Sequence, residues 1–348
     1  MRQMKYRLIN CSWDITARCN LNCRHCCEGG KEKTPDMTTE EALKVAEQII
    51  ELRPECVVFT GGEPFMRPDW HLLASKLTEK GIAVTAISNG TLIDEDTVRK
   101  MIHCGIRSIG ISVDGTEKTH DHIRGNGCYK KAMEGIRILK SAGIYCTAIT
   151  TVMKNNLEEL MDIKEELNQA GADAWQIQIG IPIGNLSNHR DNVVEPGELE
   201  KILDFCCQAA DGSLRIHMAD CIGYYNKKEN ALRRLNCSEG IMPVWQGCQA
   251  GISQLTIRYD GNVLGASLCT DDMIEGNIRE RNLKEIWEDE NAFAWRRKFK
   301  PEMMEGFCHD CRYLSLCQGG CSAVKMFIGG SITAENQYCL YRNAVLGK

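Results

Sequence analysis

The sequence predicts an α/β fold, a partial (β/α)6 TIM-like barrel followed by a smaller cysteine-rich C-terminal domain. Strand patterns alternate with amphipathic helical patterns through residue 179, which implies parallel strands joined by right-handed crossovers. Polar or glycine-containing motifs follow several of these strands, at the edge where barrels gather their chemistry. The 20 cysteines are concentrated near the N-terminus and between Cys237 and Cys339, which indicates two metal-bearing regions.

Each barrel strand is predicted from a short apolar run, and each helix from apolar residues three or four positions apart. The strands are expected at 6–16, 56–59, 82–87, 107–113, 144–152 and 174–179. A capping box formed by Thr38 and Glu41 starts the first helix. The later helices are expected near 69–80, 94–104, 128–142 and 156–170.

The barrel is expected to end in a polar crossing at 181–197, and a last helix follows it. We predict a barrel domain at 1–210, a connecting region at 211–247 and a cysteine-rich domain at 248–348. In the third region, Asp260-Gly261 separates two alternating runs and predicts a hairpin. The spacing of Leu283, Ile286 and Trp287 predicts a packed helix.

Composition narrows the possible partners and compartment. The net charge of −5 and the pI near 6.0 argue against a broad nucleic-acid-binding face. The chain starts without an apolar signal segment and contains no apolar run long enough to cross a bilayer. We therefore expect a cytoplasmic protein without nucleic-acid or membrane partners, in which cysteines serve metal ligation more than disulfides.

Cys19, Cys23 and Cys26 follow the first strand with C-x3-C-x2-C spacing. Three thiolates this close can hold an iron–sulfur cube and leave its fourth iron without a protein ligand. A structural zinc loop is the alternative, but zinc takes four protein ligands, and no fourth Cys or His stands at finger-like spacing. The spacing therefore favours a cluster with one open iron.

Together with Trp13, Thr16 and Asn20-Leu21, these cysteines resemble the signature of the radical S-adenosylmethionine (radical SAM) enzymes. The resemblance implies a [4Fe-4S] cluster that binds S-adenosylmethionine. It also implies these contacts to that cofactor: Gly61, Gly62 and Glu63 at the methionine amino group, Ser88 and Asn89 near the ribose, Ser112 and Arg124 at the carboxylate, and His25 in the cysteine loop. Ser88 and Asn89 fit a helix cap or turn as well. Asp114, His120, Asp121 and His122 are interpreted as structural.

The second cysteine region has C-x2-C-x5-C-x3-C spacing from Cys308, followed by a distant cysteine. These five cysteines are too many for one tetrahedral zinc and resemble the SPASM extension, which carries auxiliary iron–sulfur clusters. The resemblance implies two auxiliary [4Fe-4S] clusters. The distal one would be bound by Cys308, Cys311, Cys317 and Cys339, and the proximal one by Cys237, Cys248, Cys269 and Cys321.

The proximal set departs from the family pattern. Ala266 stands where the pattern expects a cysteine, and Cys269 is the substitute nearby. Cys221 is a further contender for this cluster. It is also the residue that we interpret as a candidate hydrogen-atom donor to a substrate radical. Most of the other cysteines are expected to be small buried hydrophobic residues.

The resemblance implies an enzyme that forms a 5′-deoxyadenosyl radical and modifies a ribosomally synthesised peptide or protein by crosslinking or epimerisation. The alternatives are a radical SAM enzyme of small-molecule or haem-type cofactor biosynthesis, and a sulfatase-maturing enzyme that forms formylglycine. A non-catalytic iron–sulfur electron carrier is the alternative from another class. Glu63, Ser112 and Arg124 argue against it, because a carrier needs no S-adenosylmethionine site.

The expected partners follow from this chemistry. A precursor peptide is the expected substrate, and flavodoxin or ferredoxin the expected reductant. Because 18 residues precede Cys19, we expect a leader peptide to be recognised by a separate small protein or by the groove between barrel and extension.

Overall fold

The computed structural model describes residues 6–29, 35–236 and 244–347. Its strands are β1 (Asn10–Thr16), β2 (Cys56–Gly61), β3 (Ala83–Ser88), β4 (Ser108–Ser112), β5 (Tyr145–Val152), β6 (Ala174–Ile179), β7 (Arg215–Met218), β8 (Gln254–Ile257), β9 (Asn262–Leu264) and β10 (Gly276–Asn277). All ten belong to one sheet, in the order β10-β9-β8-β1-β2-β3-β4-β5-β6-β7. The sheet is open, because β10 and β7 lie at opposite ends.

The helices of the barrel region alternate with its strands. They are α1 (Thr39–Leu52), α2 (Trp70–Thr78), α3 (Glu95–His103), α4 (Glu117–Arg124), α5 (Cys128–Ser141), α6 (Leu160–Ala170), α7 (Leu199–Ala209) and α8 (Lys227–Asn236). The capping box at Thr38 is confirmed, since its side chain accepts from the Glu41 amide while Glu41 bonds back to the Thr38 amide. Shorter helices follow: α9 (Leu283–Glu288), α10 (Ala294–Arg297), α11 (Leu314–Cys317), α12 (Ser322–Phe327) and α13 (Leu340–Leu346).

Strands β1 to β7 are parallel neighbours, which confirms the predicted partial barrel. Each of the six predicted strands is present, with ends shifted by a few residues. The first begins at Asn10 instead of residue 6, because its pairing with both neighbouring strands begins there. The core between sheet and helices contains fully buried side chains such as Trp13, Trp175 and Phe59.

The C-terminal region continues the sheet of the barrel. Strand β8 pairs in parallel with β1, and β8 and β9 form the predicted antiparallel hairpin around Asp260-Gly261. Helix α9 buries Leu283, Ile286 and Trp287, as predicted. Strand β7 lies within the predicted connecting region, where the sequence pattern indicated no element.

Every cysteine among the described residues is free of disulfide bonds. In the same part of the chain, no helix combines the length and the apolar character that a bilayer crossing requires. Cys237 lies outside the described residues.

Candidate functional site

The cysteine loop follows β1 at the carboxyl edge of the sheet and is held from the far side of the barrel. Asn185, which comes after β6, donates from its side chain to the Cys23 carbonyl oxygen at 2.8 Å. Its backbone amide donates to the Cys26 carbonyl oxygen at 2.9 Å. Asn185 belongs to the polar crossing at 181–197, and no spacing in the sequence connects it to the cysteines. Its contacts give the loop a defined shape.

Cys19 and Cys26 lie close enough to Cys23 to affect the pKa of its thiol. Burial raises the pKa of Cys23 to about 12, Arg124 lowers it, and charges on Cys26 and Cys19 raise it further. Converging thiols beside a guanidinium suit an iron–sulfur cluster, which carries negative charge on its sulfurs. The residues therefore fit the implied cluster, and each thiol would lose its proton on binding iron.

The glycines of the Gly61-Gly62-Glu63 motif let two loops touch. The Gly62 amide donates to the Thr16 carbonyl oxygen at 2.8 Å, and the Glu63 amide donates to the Arg18 carbonyl oxygen at 2.8 Å. A Cβ atom at Gly62 would overlap the Arg18 carbonyl oxygen, which is backbone and has no room to move. The glycine is thus needed for the close approach of this motif to the start of the cysteine loop.

We expect Gly62→Ala to separate these two loops. The variant should lower the free energy of unfolding by about 2 kcal/mol or more, since the clash involves backbone on both sides. It should also reduce the iron bound after anaerobic reconstitution. Gly197→Ala is the matched control, because nothing lies within 4 Å of a Cβ at that position. Equal stability and iron content in the two variants would contradict this account.

Glu63 is a buried carboxylate surrounded by neutral donors. It is 1% exposed and accepts hydrogen bonds from the Ser88 hydroxyl at 2.9 Å and the Asn89 amide at 2.8 Å. Burial raises the pKa of Glu63 to about 7, although these hydrogen bonds lower it. No ammonium or guanidinium group among the described residues is bonded to it. A buried carboxylate without a cationic partner suits the amino group of a ligand.

The raised pKa of Glu63 predicts how cofactor binding depends on pH. Ionised Glu63 is the better acceptor for an amino group, so S-adenosylmethionine should bind more weakly as pH falls from about 8 to about 6. Glu63→Gln should weaken binding and remove most of this dependence. Equilibrium dialysis of the reconstituted protein with labelled cofactor across this range measures both effects. A wild-type affinity that does not change with pH would refute the prediction.

A buried ion-pair network lies beneath the cysteine loop. Asp114, which follows β4, is fully buried, and its Oδ2 accepts from Arg124 Nε at 2.5 Å and contacts His25 Nε2 at 2.8 Å. Its Oδ1 accepts from the Thr151 amide at 2.8 Å. Burial opposes ionisation, but Arg124 and His25 hold the pKa of Asp114 well below its usual range. Asp114 therefore orients two predicted cofactor contacts.

The remaining predicted cofactor contacts lie along the same edge. Ser112 is a buried residue at the end of β4. Asn89 donates from its side chain to the Asn20 side chain at 2.9 Å, which links the end of β3 to the cysteine loop. Ser88 and Asn89 thus have structural partners in Glu63 and Asn20. Their contact with a ribose stays a prediction.

The four cysteines predicted for the distal cluster lie together. Cys308, Cys311, Cys317 and Cys339 line one cavity whose other walls include Tyr225 and four further aromatic side chains. Burial raises the pKa of Cys317 well above its usual range, and charges on the other three cysteines raise it further. Four thiols in an apolar surrounding form a donor set that suits an iron–sulfur cluster.

Three of the four cysteines predicted for the proximal cluster are described. After burial, charges on Cys221 and Cys248 have the largest effects on the pKa of Cys321. Burial raises the pKa of Cys269 to about 12, and the Cys248 charge adds to this. The fourth, Cys237, is outside the described residues, so its role as a ligand stays a prediction.

No three His, Cys, Asp or Glu side chains in the described part of the chain are placed to hold a single metal ion. This finding concerns single-ion sites. Thiolates that hold different irons of one cube stand farther apart than ligands of one ion.

A cavity of about 270 Å³ opens beside the cysteine loop. Its polar lining includes Arg24, His25, His122, His189 and Asp191. These residues come from the loop, from α4 and from the segment after β6. The cavity thus lies next to the place where the cluster would bind.

Comparison with known proteins places this geometry in context. The family model described as the radical SAM superfamily matches residues 13–167, and the model of an iron–sulfur cluster-binding domain, SPASM, matches residues 248–312. An AdoMet-dependent heme synthase of Methanosarcina barkeri is 31% identical over 346 residues, with 97% of each chain covered. The AdoMet-dependent heme synthase of Oleidesulfovibrio alaskensis is 32% identical, with 97% of this chain and 87% of the relative covered.

Among solved structures, Streptococcus suis SuiB bound to its precursor peptide SuiA matches with a TM-score of 0.76. The alignment covers 94% of this chain and 75% of SuiB, at 17% sequence identity. At this identity the match supports a common fold and leaves the substrate open.

Proposed function

Because this chain belongs to the radical SAM superfamily and carries a SPASM iron–sulfur domain, we propose that it modifies a tetrapyrrole in the formation of haem. The observation that carries the proposal is the 31% identity to a heme synthase over nearly the full length of both chains. The peptide-modifying function that the sequence favoured has weaker support, since SuiB is similar at the level of the fold. The comparisons thus favour the haem-type alternative.

The bound cluster would supply the electron that cleaves S-adenosylmethionine into methionine and a 5′-deoxyadenosyl radical. The protein would hold the cofactor and exclude competing hydrogen donors. Glu63 would accept from the methionine amino group. Arg124 retains guanidinium N–H groups beyond the one that Asp114 binds, and these suit the methionine carboxylate.

The cavity beside the cysteine loop supports a carboxylate-bearing substrate. Haem-type tetrapyrroles carry acidic side chains, and Arg24 with His122 and His189 would bind such groups through charge-assisted hydrogen bonds. Pockets for whole ligands usually measure about 300–1,000 Å³. At about 270 Å³, the cavity has room for one edge of a tetrapyrrole and its side chains, with the rest of the ring outside.

The direct test is an anaerobic assay of the reconstituted protein with S-adenosylmethionine and iron-coproporphyrin III. A reduced flavodoxin or dithionite serves as the electron source. We expect haem to form, detected by chromatography and mass spectrometry, together with 5′-deoxyadenosine. Release of 5′-deoxyadenosine without any change in the tetrapyrrole, combined with modification of a small protein encoded next to this gene, would overturn the proposal in favour of a peptide substrate.

A matched pair of variants tests the cavity. Arg24→Gln removes a lining charge and should weaken tetrapyrrole binding about tenfold, the effect of losing one charge-assisted hydrogen bond. Arg190→Gln changes a nearby exposed arginine that does not line the cavity and should leave binding unchanged. Titration of the Soret absorption measures both. If the two variants bound the tetrapyrrole with equal affinity, the substrate would not bind in this cavity.

A further inference from the structure

The segment from Asp220 to Tyr225 has an unusual backbone. Gly223, Tyr224 and Tyr225 have φ angles of +108°, +81° and +58°. Large side chains rarely adopt positive φ, and such conformations persist where surrounding contacts enforce them. Two consecutive tyrosines in this region indicate that contacts with other parts of the chain determine where the segment lies.

One of these contacts joins the segment to a predicted cluster ligand. Tyr224 is fully buried, and its hydroxyl donates to the Asp220 carbonyl oxygen at 2.5 Å. The same hydroxyl accepts from the backbone amide of Cys321 at 3.0 Å. A single oxygen atom therefore joins the backbone next to Cys221 to the backbone of Cys321.

The same segment is also attached to the distal cysteines. Gly223 forms an isolated parallel bridge with Cys339, and the Leu340 amide donates to the Gly223 carbonyl oxygen at 3.1 Å. The ring of Tyr225 stacks on Tyr313 with centroids 4.1 Å apart. The segment is thus packed against both groups of cysteines in the C-terminal region.

The Cys221 thiol itself is buried and has an amide donor that suits a metal ligand. It is 8% exposed, and its sulfur accepts a hydrogen bond from the Ile179 amide at 3.5 Å. Amide hydrogen bonds of this kind stabilise the negative charge on cluster sulfurs. Cys248 lines one cavity with Ser322, the residue that follows Cys321, so these two proposed ligands lie in the same part of the C-terminal region.

We infer that Cys221 is a ligand of the proximal auxiliary cluster, together with Cys248, Cys269 and Cys321. It takes the fourth position, which the sequence pattern assigned to Cys237. Four thiolates leave no open iron, so this cluster transfers electrons and does not bind substrate. A ligated sulfur carries no S–H bond, so Cys221 does not donate a hydrogen atom to a substrate radical.

The assignment also connects the two domains. Cys221 comes shortly after β7, whereas its three partners belong to the C-terminal region. Binding of the cluster would therefore crosslink the end of the barrel sheet to that region. The inference goes beyond the proposed function, because it holds whether the substrate is a tetrapyrrole or a peptide.

The test uses the full chain with Cys19, Cys23 and Cys26 replaced by alanine, so that only auxiliary clusters remain. Adding Cys221→Ala leaves this cluster three thiolates and one open iron, so the iron and sulfide bound after anaerobic reconstitution should fall by at most the content of one cluster of two. One of the two signals in the electron paramagnetic resonance spectrum of the reduced protein should shift, or disappear where the cluster is lost, while the other signal stays unchanged. Cys206→Ala, at a fully buried position on α7, is the control and should change neither readout.

Cys221→Ser keeps the size of the side chain and an oxygen ligand, so it tests the assignment if the alanine variant does not fold. We expect it to keep its circular dichroism spectrum and to shift the signal of one cluster. Unchanged iron content and spectra in Cys221→Ala or Cys221→Ser would overturn the inference. It would also be overturned if Cys237→Ala, and not the Cys221 variants, lost the iron and the signal of one cluster. If Cys221 only donated a hydrogen atom and bound no iron, its replacement would leave the iron content and the spectra unchanged. Failure to form haem would leave these iron measurements unaffected, so the two proposals are tested separately.

Discussion

Cys23→Ala should abolish the release of 5′-deoxyadenosine from S-adenosylmethionine. Cys23 is the buried member of the three-cysteine loop, and with only two thiolates left the loop is not expected to hold a cube. The reconstituted variant should lose the iron of one cluster, and 5′-deoxyadenosine should fall to the level without protein. Chromatography under strict anaerobiosis with dithionite measures the product.

Cys27→Ala is the control for this experiment. Cys27 adjoins Cys26 and is half-buried, but it is not part of the C-x3-C-x2-C pattern. Its replacement should keep the iron content and most of the activity. If Cys27→Ala lost the cluster while Cys23→Ala retained it, the assignment of ligands in the loop would be wrong.

Asp114→Ala should lower the free energy of unfolding by about 3–5 kcal/mol, the usual cost of removing one partner from a buried ion pair. The loss leaves Arg124 buried without its main counterion and His25 without its 2.8 Å partner. Because both residues lie against the cysteine loop, the variant should also bind S-adenosylmethionine more weakly. Urea unfolding of the iron-free protein measures the stability.

Two comparisons support the interpretation of this variant. Asp96→Ala removes an exposed carboxylate with a surface ion pair to Lys100 and should lower the free energy of unfolding far less than Asp114→Ala. The depressed pKa of Asp114 adds a pH dependence: its contribution is present above about pH 4 and is lost as pH falls further. If Asp114→Ala and Asp96→Ala were equally stable at neutral pH, the buried ion-pair network would not contribute to the stability of the fold.

The elements and motifs that were predicted correctly depend on short stretches of sequence. In the strand from Ala174 to Ile179, buried apolar residues alternate with Gln176 and Gln178, and α1 begins at a capping box within four residues. The three-cysteine loop is likewise recognisable by spacing alone. Such features can be recognised from the sequence, because the residues that define them are neighbours in the chain.

The features that were missed depend on contacts between distant residues. Asn185 acts on the cysteine loop from about 160 residues away, and Asp114 looks like an ordinary loop residue until Arg124 and His25 surround it. β7 is four residues long and is stabilised by pairing with β6, which no local pattern reveals. The substrate class could not be decided from the sequence motifs for another reason, because cluster ligands set the chemistry whereas substrate choice depends on the cavity around them.

The parallel pairing of β1 with β8 joins Asn10 to Gln254, so β1 leaves the ribosome more than 200 residues before the strand that becomes its second neighbour. Until then, one side of β1 is an open edge with unpaired backbone groups, which other chains can bind. Truncation before β8 would make that exposure permanent. We therefore expect the isolated N-terminal two-thirds of the chain to aggregate during expression. Production of active protein should depend on the last hundred residues even when the auxiliary clusters are not bound.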